Sequence, residues 1–131
     1  MEEIKVTEKA ILIRINKAYS KDMSRFQLYE YTRGRWRVDR EKASQAEYAF
    51  SIFKGIVKEV YRIEHWYPCG DILSLIIEDN DEYGKEKSHY GKRSEFIGRL
   101  AAEPIRTRYV GKSVAHYFKV GAANPVQYVN L

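Results

Sequence analysis

A chain of 131 residues that is 44% apolar, with 23 Lys and Arg against 18 Asp and Glu, is the size of one domain and has enough Ile, Val, Leu, Phe and Tyr for a packed core. A formal net charge of +5 on such a composition excludes the disordered class, which needs low hydrophobicity and high charge. No stretch reaches the roughly 18 apolar residues of a membrane span, the Met1-Glu2-Glu3-Ile4 start lacks the basic-then-apolar order of a signal peptide, and the lone Cys69 excludes an internal disulfide and a cysteine-based zinc site. The expectation is one cytoplasmic domain over residues 1–131, with no membrane segment, no structural metal and no cofactor.

In chain order, Ala10 to Asn16 places Ile11, Ile13 and Ile15 on one side and Leu12 and Arg14 on the other, a strand with at least one buried face. Ser24 and Gln27 have capping-box spacing, and Gly34 is a natural stop, so a short helix is expected from Ser24 to Arg33. Trp36 to Val38 is β-prone, and Asp39 to Ala46 reads as a loop or one helical turn. The clearest β signal is Tyr48 to Phe53, a Lys54-Gly55 break, then Ile56 to Trp66, which predicts a hairpin or one strand bent at Gly55. Tyr67 to Asp71 is a turn, Ile72 to Ile77 a buried strand, and the charged stretch Glu78 to Ser94 a long loop suited to act as a lid. Glu95 to Leu100 returns to strand. Pro104 opens a helix on which Ile105 and Tyr109 share a face, ended by Gly111; Ser113 caps a further turn through Phe118, and Val126 to Val129 is a last strand. About six short strands with two or three short helices predict an α+β domain built on a small curved sheet or pseudo-barrel.

Charge is unevenly distributed. Residues 99–131 carry Arg99, Arg106, Arg108, Lys112 and Lys119 against Glu103 alone, and a second excess lies in Arg33, Arg35, Arg37 and Arg40. Two basic segments that meet in the fold make an anion-attracting face, whereas two that remain apart are ordinary solubilising charge.

Catalytic constellations are weak. His65 and Cys69 are four apart but carry no family signature for a thiolate pair, and a small residue in a tight turn is the simpler reading. Glu78, Asp79, Asp81 and Glu82 with Lys85 and Lys87 have the letters of a nuclease metal site, on a loop too rich in glycine and charge to hold rigid geometry. Neither a phosphate-binding glycine loop nor a His-Glu-x-x-His pattern occurs.

Recognition chemistry is better represented. Tyr29 to Arg37 interleaves Tyr31 and Trp36 with Arg33, Arg35 and Arg37 around Gly34; flat rings stack on bases while guanidinium groups contact phosphate oxygens in pairs. The competing reading puts Trp36 in the core and the arginines on a solvated rim. Lys112 and Ser113 lie at an expected helix start, where backbone donors and the helix dipole favour an anion. His116 and Tyr117 follow, and Asn124-Pro125 turns the chain. His116 could hydrogen-bond a base edge, but a structural cap or surface histidine is the simpler reading.

Arg33-Gly34-x-Trp36-Arg37, the run from Ala46 through Gly55-Ile56-Val57 to Ile63, Phe96-Ile97-Gly98, and the tail from Gly111-Lys112-Ser113-Val114 to Asn124-Pro125-x-x-Tyr128-Val129-Asn130 resemble a group of small stand-alone bacterial proteins of unassigned function. The central strand pair is also similar to PUA-like domains, which include ASCH, EVE, YTH and SRA modules. That resemblance implies a pseudo-barrel with helices at its mouth that binds RNA, DNA or a modified base in a pocket. It also implies an aromatic cage, for which Trp36, Trp66, Tyr31 and Tyr117 are the candidates. The segments that carry the resemblance hold no ASCH-type Glu-x-Lys/Arg motif, so no catalytic residue carries over.

The leading expectation is a nucleic-acid or nucleotide-binding module whose ligand meets Tyr31, Arg33, Arg35, Trp36, Arg37, Trp66, Lys112, Ser113, His116, Tyr117 and Asn124. The alternatives are a small hydrolase or nuclease working through His116 or the acidic loop, and a protein-interaction adaptor using exposed tyrosines.

Overall fold

A computed structural model describes residues 3–69 and 93–131. Their strands are β1 (Ala10–Arg14), β2 (Tyr48–Phe53), β3 (Ile56–Pro68), β4 (Ser94–Leu100) and β5 (Val126–Val129), and their helices are α1 (Arg25–Arg33), α2 (Arg40–Ala43) and α3 (Ile105–Tyr109). A single 3-10 turn covers Ala115–Tyr117. The strands form one open mixed sheet in the order β4-β3-β2-β1-β5, with β1 and β2 parallel and every other pair antiparallel. The α+β expectation therefore holds, with five strands among the described residues. The expected strand Ile72–Ile77 and the lid loop from Glu78 lie outside the described residues, apart from Arg93 and Ser94.

β1 is buried on both faces because it is central and pairs in parallel with β2, the arrangement in which both sides of a sheet are covered. Ile11, Ile13 and Ile15 join Ala49, Tyr61, Trp66, Phe96 and Val126 in one core, covered by Leu28, Tyr29, Trp36 and Val38 from the α1 to α2 stretch. Leu12 joins Phe50, Ile52, Val57, Val60 and Val129 in the other, covered by Ile105, Tyr109, Val114 and Tyr117. The β2–β3 hairpin turns on Lys54 (φ 49°) and Gly55 (φ 80°), the paired left-handed conformation of the tight turn that matches strand twist. Among the described residues no helix is long and apolar enough to cross a membrane.

α1 starts as its sequence prescribes: the Gln27 amide donates to Ser24 Oγ at 3.1 Å and the Ser24 amide to Gln27 Oε1 at 2.9 Å. It stops at Arg33, but the reversal is not made by the glycine. Gly34 is extended (φ −121°) and Arg35 takes the left-handed conformation (φ 71°). That turn delivers Trp36 to β4, where the Trp36 and Ser94 backbones exchange hydrogen bonds of 3.0 and 2.8 Å. Three residues on, the Asp39 amide donates to Tyr128 Oη of β5 at 3.1 Å. The segment 35–39 thus spans the two outer strands of the described sheet across one face.

Burial also fixes the behaviour at high pH. Burial, aided by the Glu59 carboxylate, pushes the Tyr61 phenol far above its ordinary value, and burial raises Tyr29 as well. The folded state holds these protons more tightly than the unfolded chain. Stability is therefore whole below pH of about 10 and is lost as pH rises above it. A urea midpoint that falls between pH 9 and 11, with late-titrating phenols in 295 nm absorbance, is the expected result; a flat midpoint contradicts it.

Candidate functional site

The structure brings only part of the expected site together. A cleft of about 410 Å³ is lined by Trp36, Arg37, Arg93 and residues 123–126, so the arginine-rich segment does meet the Asn124 end of the second basic segment. Trp36 is partly buried, and its indole N–H donates to the Thr32 carbonyl at 2.7 Å, which fixes the ring against the end of α1. Arg37 is exposed. Arg93 donates through Nη1 to the Arg35 carbonyl at 2.9 Å. The opposite wall is set by Arg14, whose Nη2 donates to the carbonyls of Ala122 (2.8 Å) and Asn124 (2.6 Å). Asn124 Oδ1 accepts from the Val126 amide at 3.0 Å, which leaves the carboxamide nitrogen to donate elsewhere. No carboxylate is among the described lining residues. The combination of a fixed indole, two guanidinium groups and a carboxamide donor suits a flat ring carrying an anionic group.

The other expected residues are elsewhere. Arg33 is inside the protein: Nε and Nη2 donate to the two Glu30 oxygens at 2.6 and 3.2 Å, and Nη1 donates to Glu95 Oε2 at 2.8 Å. The side chains of all three are at most 6% exposed. Burial works against its charge, but the two carboxylates hold the guanidinium protonated more firmly than usual. Arg33 therefore braces α1 to β4. Tyr31 lies on α1, partly buried, outside the cleft lining, and Arg35 supplies the turn that positions Trp36.

Trp66 is 3% exposed and packs edge-on against Phe96 at 5.2 Å, so it belongs to the core beneath Trp36. Tyr117 packs against the other face of the sheet, where its Oη accepts from the Val6 amide at 2.8 Å. The four aromatic residues proposed for a cage thus do not surround one space. Ser113 is bound by backbone bridges to Glu3 and Ile56, and the position at the start of the 3-10 turn is Val114, without a side-chain cap. A three-residue turn has no helix dipole of consequence, so the anion site expected at Lys112 and Ser113 loses its physical basis. His116 Nδ1 is 3.4 Å from Glu3 Oε2 at the surface.

Arg93 was not singled out by its sequence context. It follows a long charged stretch, and only the pairing of Ser94 with Trp36 brings it to the cleft. A larger cleft of about 570 Å³ lies on the sheet beside Tyr48, Arg62, Glu64 and Arg99. Its two arginines each face a carboxylate at 3.8 Å, Arg62 with Glu47 and Arg99 with Glu64, so its positive charge is largely offset. Among the described residues no group of three His, Cys, Asp or Glu is placed to hold a metal ion. Comparison with family models, with curated proteins and with solved structures finds no match.

Proposed function

We propose that this protein binds nucleotides or nucleic acid, with a base or other flat ring against Trp36 and a phosphate between Arg37 and Arg93. The observation that supports this reading most is the fixed indole beside two guanidinium groups in a cleft with no carboxylate in its described lining. Ring stacking contributes about 1–3 kcal/mol per base and tolerates sequence, while the arginines add a salt-dependent attraction to phosphate.

The test uses the two tryptophans. Trp66 is buried, so a Trp66→Phe background leaves Trp36 as the single tryptophan, which excitation at the red edge selects over the tyrosines. Titration with single-stranded and duplex RNA and DNA, plain and base-modified, is expected to quench it. Trp36→Ala, followed by anisotropy of a labelled oligonucleotide, should weaken binding by about tenfold. Arg37→Ala should lower affinity and reduce the salt slope by about 0.7 for a single strand. Binding that is absent for every probe, or unchanged in both variants, sinks the proposal.

A further inference from the structure

Resting on that reading, we propose that the ligand is a polynucleotide rather than a free nucleotide, and that its backbone continues from the Trp36 cleft over a lysine platform at the adjoining end of the sheet. The cleft wall is tied to that end. The Arg14 amide, at the end of β1, donates to the Pro125 carbonyl at 2.8 Å, so residues 123–125 lie beside the last residues of β1. Two residues further along, Asn16 Oδ1 accepts from the Lys54 amide in the β2–β3 turn at 3.0 Å. Neighbouring strands are about 4.8 Å apart, so the turn lies about 10 Å across the sheet end from the start of β5, close enough for one strand of nucleic acid to contact both.

At this end the lysines gather on an aromatic base. Tyr19 and Phe53 pack with centroids 4.4 Å apart. The Lys58 ammonium sits 5.3 Å from the Tyr19 ring and 6.0 Å from that of Phe53, and Lys54 lies 5.3 Å from Phe53. Lys17 is exposed next to Asn16, and Lys112 lies beside Val57, whose amide donates to its carbonyl at 3.0 Å. None of these four lysines has a carboxylate at ion-pair distance among the described residues, whereas Arg33, Arg62, Arg99, Arg106 and Arg108 each have one. Those five arginines are thus paired within the fold, while the four lysines keep their charge for a ligand.

Ammonium groups on flexible stems are point charges suited to irregularly placed phosphates rather than to reading bases. The cleft holds one nucleotide-sized group, so the platform has a use only if the ligand has further phosphates beyond it. An anionic membrane is less well matched, because the lysines cover the Tyr19 and Phe53 rings, which are themselves partly buried.

The experiment measures the full chain against two probes over a salt series: adenosine monophosphate, and labelled DNA and RNA oligonucleotides of about ten nucleotides. The variant is Lys54→Asn with Lys58→Gln, Asn being chosen because it tolerates the left-handed conformation at position 54. The expected result is an oligonucleotide salt slope reduced by about 1.4, with monophosphate affinity unchanged. Lys17→Glu, at an exposed position, should lower oligonucleotide affinity in the same direction and keeps the outcome independent of packing at Lys58. Parent-like oligonucleotide binding in both variants, with both probes still bound, overturns the platform and leaves the cleft standing. Binding of phosphatidylserine vesicles that is lost in the variants while oligonucleotide binding is not also overturns it. If neither nucleotide probe binds the parent chain, the cleft reading itself has failed.

Discussion

Arg33→Met is expected to destabilise the protein by about 3–5 kcal/mol, read as a large fall in the urea midpoint, because it removes the cation from between two buried carboxylates. Glu30 and Glu95 are 6% and 2% exposed. Glu30 is one helical turn from Arg33 and Glu95 comes from β4, so the guanidinium both satisfies the carboxylates and fixes the helix to the sheet. A well-packed methionine occupies similar volume but leaves the two charges without that partner. Adding Glu30→Gln and Glu95→Gln to the Arg33→Met chain should recover part of the loss, since the carboxamides carry no charge to desolvate. A midpoint unchanged by Arg33→Met would show that the ion cluster does not hold the fold. The same variant separates structure from recognition. At a temperature where it remains folded, its oligonucleotide affinity should stay near that of the parent, because Arg33 is not in the cleft lining.

Gly98→Ala is the second large expected effect, a loss of about 3 kcal/mol. A Cβ at this position would lie inside the contact radius of the Arg62 carbonyl oxygen, with the Arg62 carbonyl carbon at 3.2 Å and Phe96 Cε1 at 3.3 Å. The obstruction is the backbone of the neighbouring strand, which cannot rotate away. Gly98 pairs with Ile63 next to the irregularity in the β3–β4 ladder, and its amide donates to Tyr29 Oη at 3.0 Å. Displacing β4 there strains the ladder and the link to α1 together. Gly111→Ala is the informative contrast: it has open space around it but a φ of 87°, so it should cost only about 1–2 kcal/mol of backbone strain. Equal losses for the two glycines, by the same denaturation measurement, would mean that the strand contact is not what matters at position 98.

Local structure was largely legible in the sequence because its determinants are local. The Ser24 and Gln27 capping box, the Lys54-Gly55 turn and the alternation of Ile11, Ile13 and Ile15 each depend on residues within a few positions, and each appears as expected. The site was legible only in part. Trp36, Arg37 and Asn124 were identified from residue type and do share a cleft. Arg33 looked like its neighbours Arg35 and Arg37, and the sequence offers Glu30 as an ordinary helix pair, but nothing local announces Glu95. Lys112 to Tyr117 read as a helix start. Their backbone and the Tyr117 hydroxyl are instead taken up by pairing with residues 3–6 and with the β2–β3 turn and the start of β3, contacts that depend on where the chain returns in three dimensions.

The position of β1 has a consequence for synthesis. The β2–β3 hairpin closes through a two-residue turn and can form early, whereas the parallel pairing of β1 with β2 must first close the long crossover that contains α1 and α2. The other side of β1 stays without a partner until residues 126–129 have been made. During that interval an apolar strand, Ala10-Ile11-Leu12-Ile13, offers its open edge as a template to any neighbouring chain. The nascent protein is therefore open to edge pairing at β1 until β5 emerges, and that short strand then covers the β1 edge.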